Sequence, residues 1–258
     1  LLLTTSGSTG SPKLVKLTYE NILSNAMSIS KYLSIDEKER PITSLPMNYS
    51  FGLSIINSHM INGATILLTN SSLIEREFWS FLKTYKATSL SGVPYSFEIL
   101  WKIRFLDMDL PYLKTITQAG GKLNDDLNLR FSEYCTNESK RFFVMYGQTE
   151  ATSRMSYLPH EDAMRKCGSM GIAIPDGEFS LIVIIPSSAG STCGSAVASS
   201  AWSARRLSRA SAMADAIATN RVLQTLLLRG CGLDQPERLP GASSSNPREK
   251  DALVVCHT

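Results

Sequence analysis

Residues 4–13 read Thr-Thr-Ser-Gly-Ser-Thr-Gly-Ser-Pro-Lys, between a leading Leu1-Leu2-Leu3 and a helical pattern. Every residue from Thr4 to Ser11 is glycine or carries a small hydroxyl side chain, and a lysine closes the run. Glycine turns without a Cβ clash, so backbone N–H groups and hydroxyls in such a loop can converge on an anion. Lys13 would add a mobile point charge for phosphate. Composition alone also permits a Ser/Gly linker. The preceding apolar strand-like segment, the Pro-Lys stop and the ordered pattern that follows weigh against a linker. The run is not a Walker A loop, because only Ser8-Thr9 separate Gly7 from Gly10 and Pro12 precedes the lysine.

The 258 residues, 43% hydrophobic and 19% charged, suit a soluble globular chain of one large domain or two small ones. A net charge of +3 is too small to argue for nucleic acid. Residues 1–185 balance at 18 basic and 18 acidic side chains, whereas the remainder carries eight and five. All Phe and Tyr also precede residue 186, and the later sequence holds Ser187-Ser188-Ala189-Gly190-Ser191 and Ser243-Ser244-Ser245. Residues 186–258 therefore read as an unrelated low-complexity tail, disordered or frameshift-derived. Five scattered cysteines form no C-x-x-C pair and no zinc spacing, as expected of reduced thiols in a cytoplasmic protein. No segment approaches the apolar length of a membrane span, and the N-terminus lacks a signal-peptide pattern.

Along the chain, Thr18 is a predicted N-cap for a helix to about Leu33, with Ile22, Ala26, Ile29 and Leu33 on one face. Strands are expected at Pro41–Leu45, Ala64–Thr69, Thr88–Ser91, Leu113–Gln118 and Phe142–Met145. Helices are expected at Phe51–Asn62, Glu75–Lys86, from Pro94 to about Phe105, and from Asn124 onward. This alternation predicts an α/β fold with a mostly parallel sheet and flanking helices. Ligands gather beyond the carboxyl ends of such strands. The first loop, Ala119-Gly120-Gly121 and the Tyr146 segment are all expected there.

Three landmarks, T-T-S-G-S-T-G-S-P-K at 4–13, A-G-G-K-L at 119–123 and Y-G-Q-T-E-A-T at 146–152, resemble the adenylate-forming (AMP-binding) superfamily. That superfamily includes acyl-CoA synthetases, aryl-CoA ligases, luciferases and peptide-synthetase adenylation domains. The similarity covers about residues 1–182, and the first and third motifs are the specific ones. It implies attack of a carboxylate on the α-phosphate of ATP, then transfer of the acyl group to coenzyme A or a carrier protein's phosphopantetheine. Thr5, Ser6, Gly7, Ser8, Thr9, Gly10 and Lys13 would hold the β- and γ-phosphates, with Lys13 also counted as catalytic. Gly120 and Gly121 match the adenine-side turn. Tyr146 and Gly147 lie in the third motif, where Tyr146 would stack on adenine. Thr149 would contact the α-phosphate, and Glu150 would bind Mg²⁺, both serving catalysis. Tyr49 stands where the family often carries histidine, bordering the carboxylate. With Phe51 it is a candidate pocket wall for an apolar or aromatic acid, whereas His59 reads as structural.

The sequence beyond residue 182 contains no Thr-Gly-Asp segment for the ribose-binding aspartate, nor the hinge and C-terminal lysine domain of the family. The chain accordingly reads as an internal fragment of the large N-terminal domain. Two functions follow: an acid–thiol ligase, or a non-catalytic remnant that at most binds ATP or AMP weakly. A phosphate-releasing NTPase is a third reading, disfavoured by the loop spacing.

Overall fold

The structure is a computed structural model that describes residues 1–5, 14–183 and 252–257. The described residues divide into two units, one up to residue 177 and one from residue 178. In the first unit, β1 (Leu2–Thr4) and β2 (Leu14–Lys16) form an antiparallel pair with Leu3 opposite Val15. The pair brackets the hydroxyl-rich run, whose residues 6–13 lie outside the described residues.

The six-stranded sheet runs β3 (Pro41–Ile42), β4 (Ser89–Gly92), β5 (Thr115–Gln118), β6 (Arg141–Tyr146), β7 (Ser156–Leu158) and β8 (Ile172–Ala173), in that spatial order. The first four are mutually parallel, and β7 and β8 add antiparallel pairings. The sheet is thus mixed, mostly parallel at the end that carries the alternation of strand and helix. Residues of β6 alternate between two cores, as the period of a strand requires. Phe142 joins Leu90, Phe97, Ile116 and Phe131 on one face; Phe143 and Met145 join Ile29, Phe51 and Ile55 on the other. Helices α1 (Tyr19–Leu33) and α2 (Ser50–Met60) thus cover one face. Helices α3 (Arg76–Thr84), α4 (Pro94–Lys102) and α5 (Asp125–Asn137) cover the other.

Local chemistry explains the boundaries. Thr18 and Asn21 form a reciprocal capping box that starts α1, with Asn21 N–H donating to Thr18 Oγ1 at 3.0 Å. Pro94 opens α4 at its first position, where the lost N–H has no helical partner anyway. Asn124 Oδ1 accepts from Asp126 N at 2.9 Å and starts α5. The two central strands are buried yet rich in hydroxyls, and Ser91 Oγ and Thr117 Oγ1 pair across them at 2.8 Å.

Three expectations are corrected. The strand expected at Ala64–Thr69 reduces to a parallel bridge of Leu67 with Ile42, because Thr43 Oγ1 takes the Thr69 N–H in place of a backbone carbonyl. The helix from Pro94 stops at Lys102, where Arg104 turns left-handed (φ 58°), and a short 3₁₀ turn holds Phe105–Asp107. Leu1–Leu3 does not feed the parallel sheet; its strand belongs to the separate β1–β2 pair.

In the second unit, β9 (Glu178–Val183) pairs antiparallel with β10 (Ala252–His257), Glu178 opposite His257 and Val183 opposite Ala252. The rest of the expected low-complexity tail lies outside the described residues.

Candidate nucleotide site

The carboxyl ends of β4, β5 and β6 stand side by side, with Gly92, Gln118 and Val144 in register and Tyr146 two residues further along β6. Each end is followed by one piece of the candidate site. After β5 comes the turn Ala119-Gly120-Gly121, with Gly120 at φ 82°. That conformation favours glycine, and space demands it too: a Cβ on Gly120 would overlap the Tyr49 hydroxyl and stand 3.0 Å from Val93 Cγ1. Gln118 braces the turn from beneath, its Nε2 donating to Gly121 O at 2.8 Å. Gln118 Oε1 is buried and has no hydrogen-bond partner among the described residues.

Tyr49 precedes the first turn of α2 and brings the acyl-side segment to this turn. Its ring is half-buried, and burial raises the phenol pKa above its ordinary value, so the hydroxyl stays protonated near neutrality. Phe51, expected as pocket wall, is buried in the core that includes Ile29, Ile55 and Met145. Its ring meets that of Tyr49 edge-on at 6.4 Å. His59, read as structural, is buried at the far end of α2 and hydrogen-bonds the Ile55 carbonyl at 2.7 Å. The carbonyl can only accept, so Nδ1 carries the proton. Burial lowers the His59 pKa to about 4, and the imidazole is neutral at ordinary pH.

After β6 the chain passes Tyr146-Gly147-Gln148 into a 3₁₀ turn, Thr149–Ala151, and doubles back into β7. Ser153 N donates to Gln148 O at 2.9 Å and Met155 N to Tyr146 O at 2.8 Å. Thr152 and Ser153 both take positive φ, at 59° and 94°, in this reversal. The reversal is so tight that a Cβ on Gly147 would overlap the Ser153 carbonyl oxygen. Gln148 Nε2 donates to the Tyr146 phenol oxygen at 2.7 Å. Glu150 is exposed at the crest. Thr149 Oγ1 lies 3.2 Å from Ser50 Oγ, which joins the first residue of α2 to the third motif.

Tyr49, Gly120 and Thr149 are therefore linked through contacts of three segments distant in sequence. Thr5 is half-buried just beyond β1, whereas Ser6, Gly7, Ser8, Thr9, Gly10 and Lys13 lie outside the described residues. Sequence reasoning gave no role to Ser50 or Gln118, which hydrogen-bond Thr149 and the Gly121 carbonyl. Spacing alone offered no signal for them.

The residues present suit ATP with magnesium. Glu150 and Thr149 offer hard oxygen donors on adjacent positions. One exposed carboxylate fits an ion that keeps its waters and takes its other ligands from a nucleotide's phosphates.

Residues 1–183 match the AMP-binding enzyme family. A 2-succinylbenzoate–CoA ligase of Listeria innocua is 31% identical over 177 residues, 69% of this chain and 37% of the relative. A feruloyl-CoA synthase of an Amycolatopsis species is 28% identical, covering 67% of this chain and 34% of that one. Among solved structures, the O-succinylbenzoate coenzyme A synthetase of Bacillus subtilis in complex with AMP superposes with a TM-score of 0.61 at 26% identity. The match covers 72% of this chain and 37% of that one. The same enzyme with ATP and a magnesium ion gives 0.60 at 26% identity, covering 74% and 38%. The fold is that of the N-terminal part of adenylate-forming enzymes. The chain belongs to the AMP-binding enzyme family. It spans little more than a third of the length of the curated relatives it matches.

Proposed function

We propose that this chain carries the nucleotide-gripping part of an acid–thiol ligase. Such a ligase activates a carboxylic acid with ATP to an acyl-adenylate and transfers the acyl group to a thiol. The thiol is coenzyme A or, alternatively, the phosphopantetheine of a carrier protein, and the reaction is placed in the cytoplasm. The observation that carries this reading is the junction of Thr149 with Ser50 at the carboxyl end of the parallel strands, beside the Tyr49–Gly120 contact.

In this reading the chain's own groups chiefly position and stabilise charge, which suits a reaction whose negative charge spreads over phosphate oxygens. The Thr149 hydroxyl, already oriented by Ser50, donates to the α-phosphate. Thr5, Ser6, Gly7, Ser8, Thr9, Gly10 and Lys13 take the β- and γ-phosphates. Glu150 holds the magnesium ion, which neutralises phosphate charge when bound. Gly120 and Gly121 give adenine a backbone surface without Cβ atoms, and Tyr146 stacks on the base. Tyr49 offers a flat wall and a protonated hydroxyl to the acid, which favours aromatic or apolar carboxylates. Phe51 supports that wall from the core.

Carboxylate-dependent ATP–pyrophosphate exchange tests the reading. Exchange that appears with aromatic or apolar acids, and vanishes without acid or magnesium, supports a ligase. Nucleotide binding without exchange from any acid supports the alternative, a remnant that binds ATP or AMP without turnover. Phosphate release independent of acid would overturn both.

A further inference from the structure

Arg154 is the largest fully buried side chain among the described residues, 1% exposed, and no carboxylate there lies within ion-pair distance of it. A guanidinium cannot shed its proton in a protein, so a charge is held in the interior on neutral partners alone. Such burial is costly unless the hydrogen bonds are well placed. The partners come from three elements. Nε donates to Ser54 Oγ on α2 at 3.1 Å, and one terminal nitrogen to Tyr32 Oη on α1 at 3.3 Å. The same nitrogen approaches Met145 Sδ on β6 at 3.6 Å. The guanidinium carbon lies 5.0 Å from the centre of the Phe51 ring, a cation–π arrangement. The backbone of Arg154 is held as well, its carbonyl accepting from Asn25 Nδ2 of α1 at 2.8 Å.

The position of these anchors is informative. Ser50 and Ser54 are one helical turn apart on α2 and so share a face. Ser50 bonds Thr149, and Ser54 bonds Arg154. The reversal from Thr149 to Arg154, which carries Glu150 at its crest, is thus fastened to a single helix face at both ends. Two of its residues sit at unfavourable positive φ, so it would relax if one end were released.

We propose that Arg154 is a positioning residue for the nucleotide site, fastening the Thr149–Arg154 reversal to α2 so that the Thr149 hydroxyl stays on Ser50. The proposal rests on the reading that Thr149 meets the nucleotide, and its test separates the two.

The full chain would be compared with R154M, R154K and S50A. Without Arg154 the Tyr32 and Ser54 hydroxyls still donate to Met145 Sδ and the Phe51 carbonyl, so an apolar side chain of similar length leaves neither donor unpaired. R154M is therefore expected to melt cooperatively near the parent temperature. It should nonetheless lose at least tenfold in the kcat of ATP–pyrophosphate exchange and shift the ¹³C signal of the Thr149 methyl. R154K, which keeps the charge but reaches fewer partners, should restore part of both. R154M combined with S50A should lose no more than the more damaging single change. An unmoved Thr149 methyl in folded R154M, or full additivity of the two losses, would overturn the proposal. If R154M unfolds, R154K carries the same comparison of methyl signal and kcat. If the parent chain shows neither exchange nor ATP binding, the functional reading fails, and the Thr149 methyl alone decides whether the fastening exists.

Discussion

Gly147→Ala probes the point at which fold and candidate site depend on one another most closely. A Cβ on Gly147 would overlap the Ser153 carbonyl oxygen and stand 2.5 Å from Ser153 C and 2.8 Å from Arg154 Cα. These are backbone atoms with no rotamer by which to move aside, so residues 153–154 must retreat by about 2 Å to reach ordinary contact. That movement opens Ser153 N–H to Gln148 O and Met155 N–H to Tyr146 O, and it draws Arg154 away from Ser54. Two hydrogen bonds at about 1 kcal/mol each, with the strain of an overfilled site, give a loss of about 3 kcal/mol. For a unit of this size the melting temperature should fall by about 6–12 °C. The control is Gly121→Ala, whose Cβ would meet only the Pro94 ring, at 3.2 Å; its expected cost is below about 1 kcal/mol. Urea unfolding with a shared slope measures both. A Gly147→Ala chain within about 0.5 kcal/mol of the parent, or a Gly121→Ala chain that loses as much, would refute the reasoning.

Further expectations concern pH, metal and core. Burial lowers the His59 pKa from 6.5 to about 4, so the unfolded chain binds the extra proton first as pH falls. Stability from this group is fully present above pH 6.5 and is lost as pH drops through about 4, at most about 3 kcal/mol; His59→Gln should flatten that part of the pH–stability curve. Glu150→Gln keeps the shape of the crest but removes its charge. It should raise the magnesium concentration needed for half-maximal nucleotide binding about tenfold without moving the melting temperature, read by titration with Mg²⁺. Phe131 is fully buried and packs edge-on against Phe97 at a 4.9 Å centroid distance. Phe131→Ala should cost about 3–5 kcal/mol by denaturant unfolding, through the cavity it leaves.

Much of the fold was written locally. Thr18, Pro94, and Asn124 with its two following aspartates each announced a helix start that the structure keeps. The unbroken apolar run Phe142–Met145 announced a buried strand, and the structure covers it on both faces. What failed depended on partners. Ala64–Thr69 has a strand's composition, but its neighbour β3 is two residues long and a threonine side chain replaces the next ladder bond. Leu14–Lys16 is a three-residue strand that exists through its pairing with Leu2–Thr4, which no local pattern signals. In the candidate site, Tyr146, Gly147, Thr149 and Glu150 were legible as one motif because they occur together in order. Arg154 was not, because an arginine beside Thr152-Ser153 reads as surface, and only the packing of α1 and α2 buries it.

The central claim is that Thr149, Glu150, the Gly120–Gly121 turn and the hydroxyl-rich run serve one nucleotide used to activate a carboxylic acid. ATP–pyrophosphate exchange with the parent chain and Thr149→Val, across a panel of aromatic and aliphatic acids, tests it most directly. The account predicts acid-dependent, magnesium-dependent exchange that falls at least tenfold in Thr149→Val, with the fold intact. Exchange equal in the two chains, or turnover of ATP that ignores the acid, would contradict it.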